Sequence, residues 1–578
     1  MMRTTRATLV ALALGLAAPG GLAPAPLHAQ DDGVVLDFGA PPARPAALPT
    51  IPDSIVARAL ELFNAPPPAT SRSYGGTVQV AAAHEGNYGA FQGDLLVLAT
   101  VHGSVVVING DLRVTASGRI TGDVIVLGGR FAADDGAQID GRVIEYRRRA
   151  PVRREPDGRL APAEPAPSLR ELAGRAAVRV GPAVLTPRFG LGTYNRVEGF
   201  PLRGGVSAAL TDPTGLALRL DADLIVRTAR DPSNSRGDAG WDLRLSAAVP
   251  GGAFTAGLEA GNRIVPTADQ PFSPLESALS AFFLRRDYRD WVRTQGGGLF
   301  GAWTPTERLT VRGRIAVARE RSTAAVDAFS LLRSDQTWRP NPLVDDGRYT
   351  AIELSAAWDS RRNRSAPSNG WSLSAGVRRT SSNDLTPIAL PEQVRDPLPT
   401  EGYASWEASF SVRREQRLDA NTTLRAALSG SGWLGGDPLT IQRRQALRGG
   451  DELPGYAFRA LRCDPRRRPD PAQPALCDRR MTAQVELRRT LDLRLTTALG
   501  PYALGLEQPD LVLFADAGSA WLAGDGPGQV PTNRIQALGE WRGDLGVGLD
   551  AGWAGLYLAR SFTDDLPVRV VLRLQQRF

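Results

Sequence analysis

The side chains that usually carry covalent chemistry are nearly missing from this chain, and the few present are badly spaced for it. Its 578 residues hold three histidines, His28, His84 and His102, so no imidazole lies beyond position 102. A Ser-His or Cys-His nucleophile, or a histidine-bound metal, cannot be assembled from the remainder. The two cysteines, Cys463 and Cys477, are too few to hold a metal alone. All 68 basic residues are arginine. Without lysine there is no Walker-type phosphate loop, no Schiff base and no kinase lysine. What remains is 61 carboxylates against those arginines, at a net charge of +7. Such groups pair and set fields, so neither an enzyme nor a cofactor is expected. Codon bias in a GC-rich genome accounts for the arginines. No reading helix or aromatic-basic platform points to nucleic acid.

The elements that must position these charges are strands. From about residue 192, segments of some ten residues alternate apolar and polar positions between Gly, Pro, Asn and Asp. In the last one, Val568, Val570, Leu572, Leu574 and Phe578 share a face, opposite Arg569, Arg573, Gln575 and Arg577. Candidates near 198–211, 214–228, 239–249, 252–262, 293–305, 307–321, 349–360 and 370–380 are followed by 402–415, 418–434, 437–448, 481–490, 510–521, 538–550, 552–562 and 567–578. About sixteen is an even count, as single-chain bacterial barrels have, and closure satisfies every backbone group without water. The fold expected is all-β: a transmembrane antiparallel β-barrel of about sixteen strands over 192–578, in the bacterial outer membrane.

Export comes first. Arg3 and Arg6, the apolar run Leu9–Ala18 and Leu27-His28-Ala29 give residues 1–29 the form of a signal peptide. Pro19, Gly20 and Gly21 break that run too early for a membrane span. An oxidising destination suits a Cys463–Cys477 disulfide, which by chain entropy contributes roughly 3 kcal/mol for a loop of about 15 residues. Residues 30–74 read as a flexible segment with one short helix, which Ser54 would cap. Over 75–146, turn glycines at 76, 93, 103, 110, 122 and 141 each precede apolar residues two and usually four positions on. That predicts a small periplasmic β-solenoid, whose rungs bury their rows by stacking. It resembles the bactofilin-like repeat family; its end rungs either stack on another copy or serve as an inert cap. Residues 147–191, rich in Arg and Pro, read as a linker, solvated or touching anionic headgroups.

The C-terminal region resembles the BamA/TamA-like bacterial surface-antigen barrels. Asp359-Ser-Arg361 followed by Pro367 and Gly370 is similar to that family's D-x-R…P-x-x-G strand-turn-strand. Phe514, Asp516 and Gly518 fit its F-x-D-x-G strand, with Asp516 facing the lumen. Gly449 and Gly450, with Pro454, Gly455 and Tyr456, resemble its loop that folds back into the lumen, and Glu486-Leu-Arg488 its E-x-R strand. Phe578 resembles the terminal aromatic recognised by the barrel-assembly machinery. Where the family has a loop arginine for the strand aspartate, this chain has Pro454, which leaves Arg448, Arg459 and Arg462 as candidate partners of Asp516. The family's periplasmic transport-associated domains have no counterpart in 31–191. The resemblance implies insertion of outer-membrane proteins, or polypeptide translocation, through a weak seam between a first strand near Glu198–Leu210 and the last, Val568–Phe578. Its partners would be outer-membrane lipid and unfolded clients. The alternative is a structural or channel-like barrel with the solenoid as plug, anchor or self-association module. Arg219, Arg312, Arg314 and Arg573 would then favour anions.

Overall fold

The computed structural model describes residues 33–34, 51–162 and 178–577, apart from 67, 147–149, 151, 156, 212–214, 230–238, 271, 307, 334, 362–368, 420, 451, 460, 464–473, 492, 500–501, 508 and 553. Residues 1–29, Pro367 and Phe578 therefore lie outside the described residues. The chain divides into two units, residues 41–175 and the remainder.

The smaller unit is a solenoid of parallel strands whose rungs recur every 17 or 19 residues. Two columns of glycine mark its corners, 76-93-110-129 and 86-103-122-141. A Cβ at most of these positions would overlap the glycine backbone of the previous rung. Thus the six repeats read from the sequence are two corners of each turn. The residue after each corner glycine ties the rungs: Asp94 Oδ1 accepts the Asp111 N–H at 2.8 Å, and Asp111 Oδ1 the Arg130 N–H at 2.8 Å. Inside, Val97, Val105, Val107, Leu112, Val114, Val124 and Val126 form one apolar core.

Helix α1 (Asp53–Asn64) packs Ala59, Leu60 and Phe63 on Phe91, Val106, Ile108 and Ile125. Its N-cap is Pro52 with no side-chain cap, so Ser54 lies inside the helix rather than at its start. Its last carbonyls are taken by Arg72, at 2.7–2.9 Å. Val152 and Leu160, from the expected linker, join this second core through a short hairpin.

The larger unit holds one antiparallel sheet of 18 strands and a separate two-stranded hairpin, Arg494–Leu499 with Tyr502–Glu507. Gly33–Val34 and Val178–Val180 are short additions at the sheet's first edge. The remaining sixteen follow chain order. They begin with β1 (Ala183–Gly192), β2 (Pro201–Thr211), β3 (Ala217–Arg227), β4 (Ala239–Ala248) and β5 (Phe254–Pro266). Next come β6 (Trp291–Thr306), β7 (Leu309–Arg321), β8 (Asp346–Asp359), β9 (Gly370–Thr386), β10 (Tyr403–Arg417) and β11 (Thr422–Gly436). The last are β12 (Arg479–Thr490), β13 (Asp510–Trp521), β14 (Arg542–Asp550), β15 (Gly555–Ser561) and β16 (Arg569–Arg573). Long connections gather at one end, after β5, β7, β9 and β11; the other end carries mostly tight turns. The segment after β5 forms α2 (Pro274–Leu284), and its Glu276 meets Arg573 of β16 at 2.8 Å. The sheet therefore curls into a barrel around a shared lumen.

Three expectations about the barrel are corrected. The first strand is β1, inside the expected linker 147–191, and the segment near Glu198–Leu210 supplies β2. Pro187 hid β1, because a proline argues against a central strand yet is tolerated at a sheet edge. Residues 437–448 form no strand; apart from a 3-10 turn at Ile441–Arg443 they run as loop, and Leu439, Ile441, Ala446 and Leu447 are buried. Sixteen was thus reached with one strand missed and one added. The last strand ends at Arg573, short of the expected 578.

Candidate functional site

Pleating sends alternate residues of β12–β15 inward, which assembles a charged row across the sheet. Gln484, Asp516, Asp544 and Ser561 are successive cross-strand partners, all buried. One step along, Glu486 lies opposite Phe514. Leu513, Leu545, Leu556 and Leu558 point the other way and are exposed. The row needs compensating positive charge, since an unpaired buried carboxylate is costly.

That charge comes from the chain's own end. After Arg573 the backbone leaves the sheet: the Leu574 N–H donates to Glu276 at 2.8 Å, and Arg425 donates to the Gln576 side chain at 2.9 Å. Arg577 is then buried, with Nη2 on Asp516 and Nε 3.0 Å from Glu486. Its guanidinium sits 3.8 Å from the centre of the Phe514 ring. The F-x-D pair is thus an arginine receptor, ring face and carboxylate together. Glu486 also holds Arg488 at 3.0 Å.

The loop between β11 and β12 reaches the same row. Asp544 accepts the Gly455 N–H, and the Tyr456 hydroxyl lies 2.7 Å from Ser561 and 2.6 Å from Asp564. A Cβ on residue 455 would come within 2.8 Å of the Asp544 side chain, so only glycine lets the backbone this close. Gly518 serves the loop from the other side. A side chain there would press on Leu447 at 2.7 Å, which clusters with Leu453 and Tyr456. Gly449 and Gly450 sit where the loop doubles back, Gly449 bridging to Leu453 beside Pro454.

Two of the three arginines expected for Asp516 are paired with other carboxylates. Arg448 lies 3.2 Å from Asp269, and Arg459 lies 2.7 Å from both Asp269 and Asp290. Arg462 is buried beside the Cys463–Cys477 disulfide, where its carbonyl accepts the Leu476 N–H. The group that sequence reasoning missed is Arg577. The signal for it was the pairing of an arginine-less loop with an arginine on the polar face of the terminal segment.

A second network ties the long loops together. Arg196 is fully buried between Asp287, at 2.9 Å, and Asp290, at 3.1 Å, with Asn341 at 2.9 Å. Burial would raise the Asp290 carboxyl, but Arg339, Arg459 and Arg196 outweigh it and hold the group well below the usual carboxylate range. Burial, with Arg196 and Arg459 adding to it, pushes Arg339 down to about 10 against the pull of Asp290. At the turn end, Arg361 forks onto Asp359, at 2.8–3.0 Å, and reaches Glu415 at 2.8 Å. Gly370 packs on its backbone, so this motif clamps β8, β9 and β10.

No protein-family model matches the sequence, and no curated protein does. Among solved structures, the chain is similar to BamA from Haemophilus ducreyi lacking POTRA domains 1–3, at 12% identity and a TM-score of 0.40, over 68% of this chain and 70% of that one. It is similar to CdiB from Acinetobacter baumannii at 11% identity and TM-score 0.30, over 68% of this chain and 59% of that one. For CdiB from Escherichia coli the values are 11% and 0.29, over 69% and 63%. The chain thus matches less than two thirds of either CdiB.

Proposed function

We propose that this protein is an outer-membrane barrel that assists insertion of outer-membrane proteins, or translocation of polypeptides, through the seam between β1 and β16. The observation that carries the reading is the seam itself. Among the described residues no ladder joins the two strands, and β16 is five residues long. An incoming strand would add to the edge of β16, or to β1 between the residues that Gly33–Val34 and Val178–Val180 already pair, through main-chain hydrogen bonds, with no covalent chemistry. Outward rows such as Leu556 and Leu558, or Val568, Val570 and Leu572, support a lipid partner. The barrel-assembly machinery would recognise the C-terminal segment during biogenesis, and unfolded barrels would be the clients. Nucleic acid has no part in this reading.

The passive-channel reading is less well supported. Of the arginines expected to attract anions, Arg219 is paired with Asp221 at 3.0 Å, Arg314 with Glu259 at 2.6 Å and Arg573 with Glu276 at 2.8 Å. The test is folding assistance: the purified chain in lipid vesicles, with urea-denatured barrels added. Acceleration over empty vesicles and over an unrelated porin is expected. A crosslink between cysteines placed on β1 and β16 should abolish it. No acceleration across several clients would leave a static barrel.

A further inference from the structure

Two parts of the chain converge on one pair of carboxylates. Asp516 and Asp544 are cross-strand neighbours. The first holds Arg577, from the segment that follows seam strand β16; the second holds the Gly455 N–H, from the tip of the lumen loop. Position 454, beside that tip, is proline, so that position supplies no guanidinium to the row. Removing Arg577 would leave Glu486, Asp516 and Asp544 facing one another beneath the loop, with Arg488 beside Glu486 and shared with Asp510 and Asp550. Like charges at such spacing repel, and the row could keep the loop tip only by taking up protons or water.

We propose that Arg577 is a latch that makes the lumen loop's position depend on the seam strand. With Arg577 buried on Asp516 and Glu486, the loop tip is held on Asp544 and Ser561. When β16 is drawn outward, Arg577 goes with it and the tip is released. Seam and lumen then change state together, through a residue that sits on neither the loop nor the strand wall. This device is independent of whether the barrel accelerates folding, because its readouts are positions.

The test uses full-length protein in detergent micelles, with heat-modifiable gel migration as the check on folding. Trypsin cleavage within the loop, after Arg448, Arg459 or Arg462, reports the tip. The expected result for Arg577→Gln is cleavage at least about tenfold faster than wild type. Pro454→Arg in that background should return cleavage after those same three arginines, scored apart from the new site after position 454, to near wild type, because the guanidinium then arrives from the loop. Folded Arg577→Gln with unchanged cleavage would overturn the latch, as would failure of the second substitution to slow cleavage. A second measurement does not require the Arg577 variant to fold. Gln576→Cys gives an otherwise wild-type chain one free thiol, since Cys463 and Cys477 are bonded to each other. Position 576 is itself exposed and contacts Arg425, so the probe is a maleimide too bulky to enter the lumen, and it should label slowly while the loop stays protected. Rapid labelling with the loop still protected would contradict the proposal.

Discussion

The two units use one pattern, alternation along a strand, with opposite sense. In the solenoid the apolar positions turn inward: Val105, Val107 and Val124 are fully buried, while Arg113 and Arg119 meet Asp134 and Asp140 across rungs on the outside. In the barrel the apolar positions turn outward, with Leu558 46% and Leu572 65% exposed, and Arg573, Glu486 and Asp544 lie within. Alternation therefore fixes the strand, and the choice of buried face reports the medium. A solenoid with this polarity is built for water. A sheet that hides its charges and displays leucine is built for hydrocarbon, where an outward charge is what costs.

That contrast can be broken by substitutions that treat the same face differently in the two units. The largest effect is expected from Val107→Asp, an unpaired charge in the solenoid core. At about 4 kcal/mol or more it should unfold that unit and expose it to protease, leaving the barrel's heat-modifiable migration intact. Gly110→Val should cost about 3 kcal/mol, because its side chain would enter the Gly93 backbone below. Urea titration of solenoid protection in the full chain measures it. On the barrel, Leu558→Arg should cost about 2–3 kcal/mol in vesicle refolding titrations, although an exposed leucine facing water would change by almost nothing.

The smallest effect concerns acid. The Asp290 carboxyl is held low by Arg339, Arg459 and Arg196, so its contribution to the loop network is complete above the unfolded carboxylate value of about 4. It is lost only as pH falls further, through the depressed folded value. Pepsin cleavage of the long loops should therefore rise only well below pH 4. Asp290→Asn should remove most of that pH dependence.

Much of the fold was legible because alternation and turn glycines are local signals. The solenoid core residues and most barrel strands follow from period two alone. Two strands misled for local reasons as well: Pro187 disguised β1, and the apolar run around Leu439–Leu447 imitated a strand while serving to pack a loop. The site was legible only in part. Asp516, Phe514 and Gly518 were found, along with the loop that meets them. Their guanidinium is not legible locally, because nothing in the nearby sequence says that a strand stops at Arg573 and that its tail turns inward. The alternation did place Arg577 on the polar face. Its partners, 61 residues or more away, depend on how the whole sheet curls.

The most direct test of the account asks which face of β15 touches lipid. Single cysteines at positions 556, 557, 558 and 559, each carrying a small fluorophore, are read in vesicles of brominated lipid. The account predicts strong quenching at 556 and 558 and little at 557 and 559. Equal quenching at all four positions, or none at any, would contradict it.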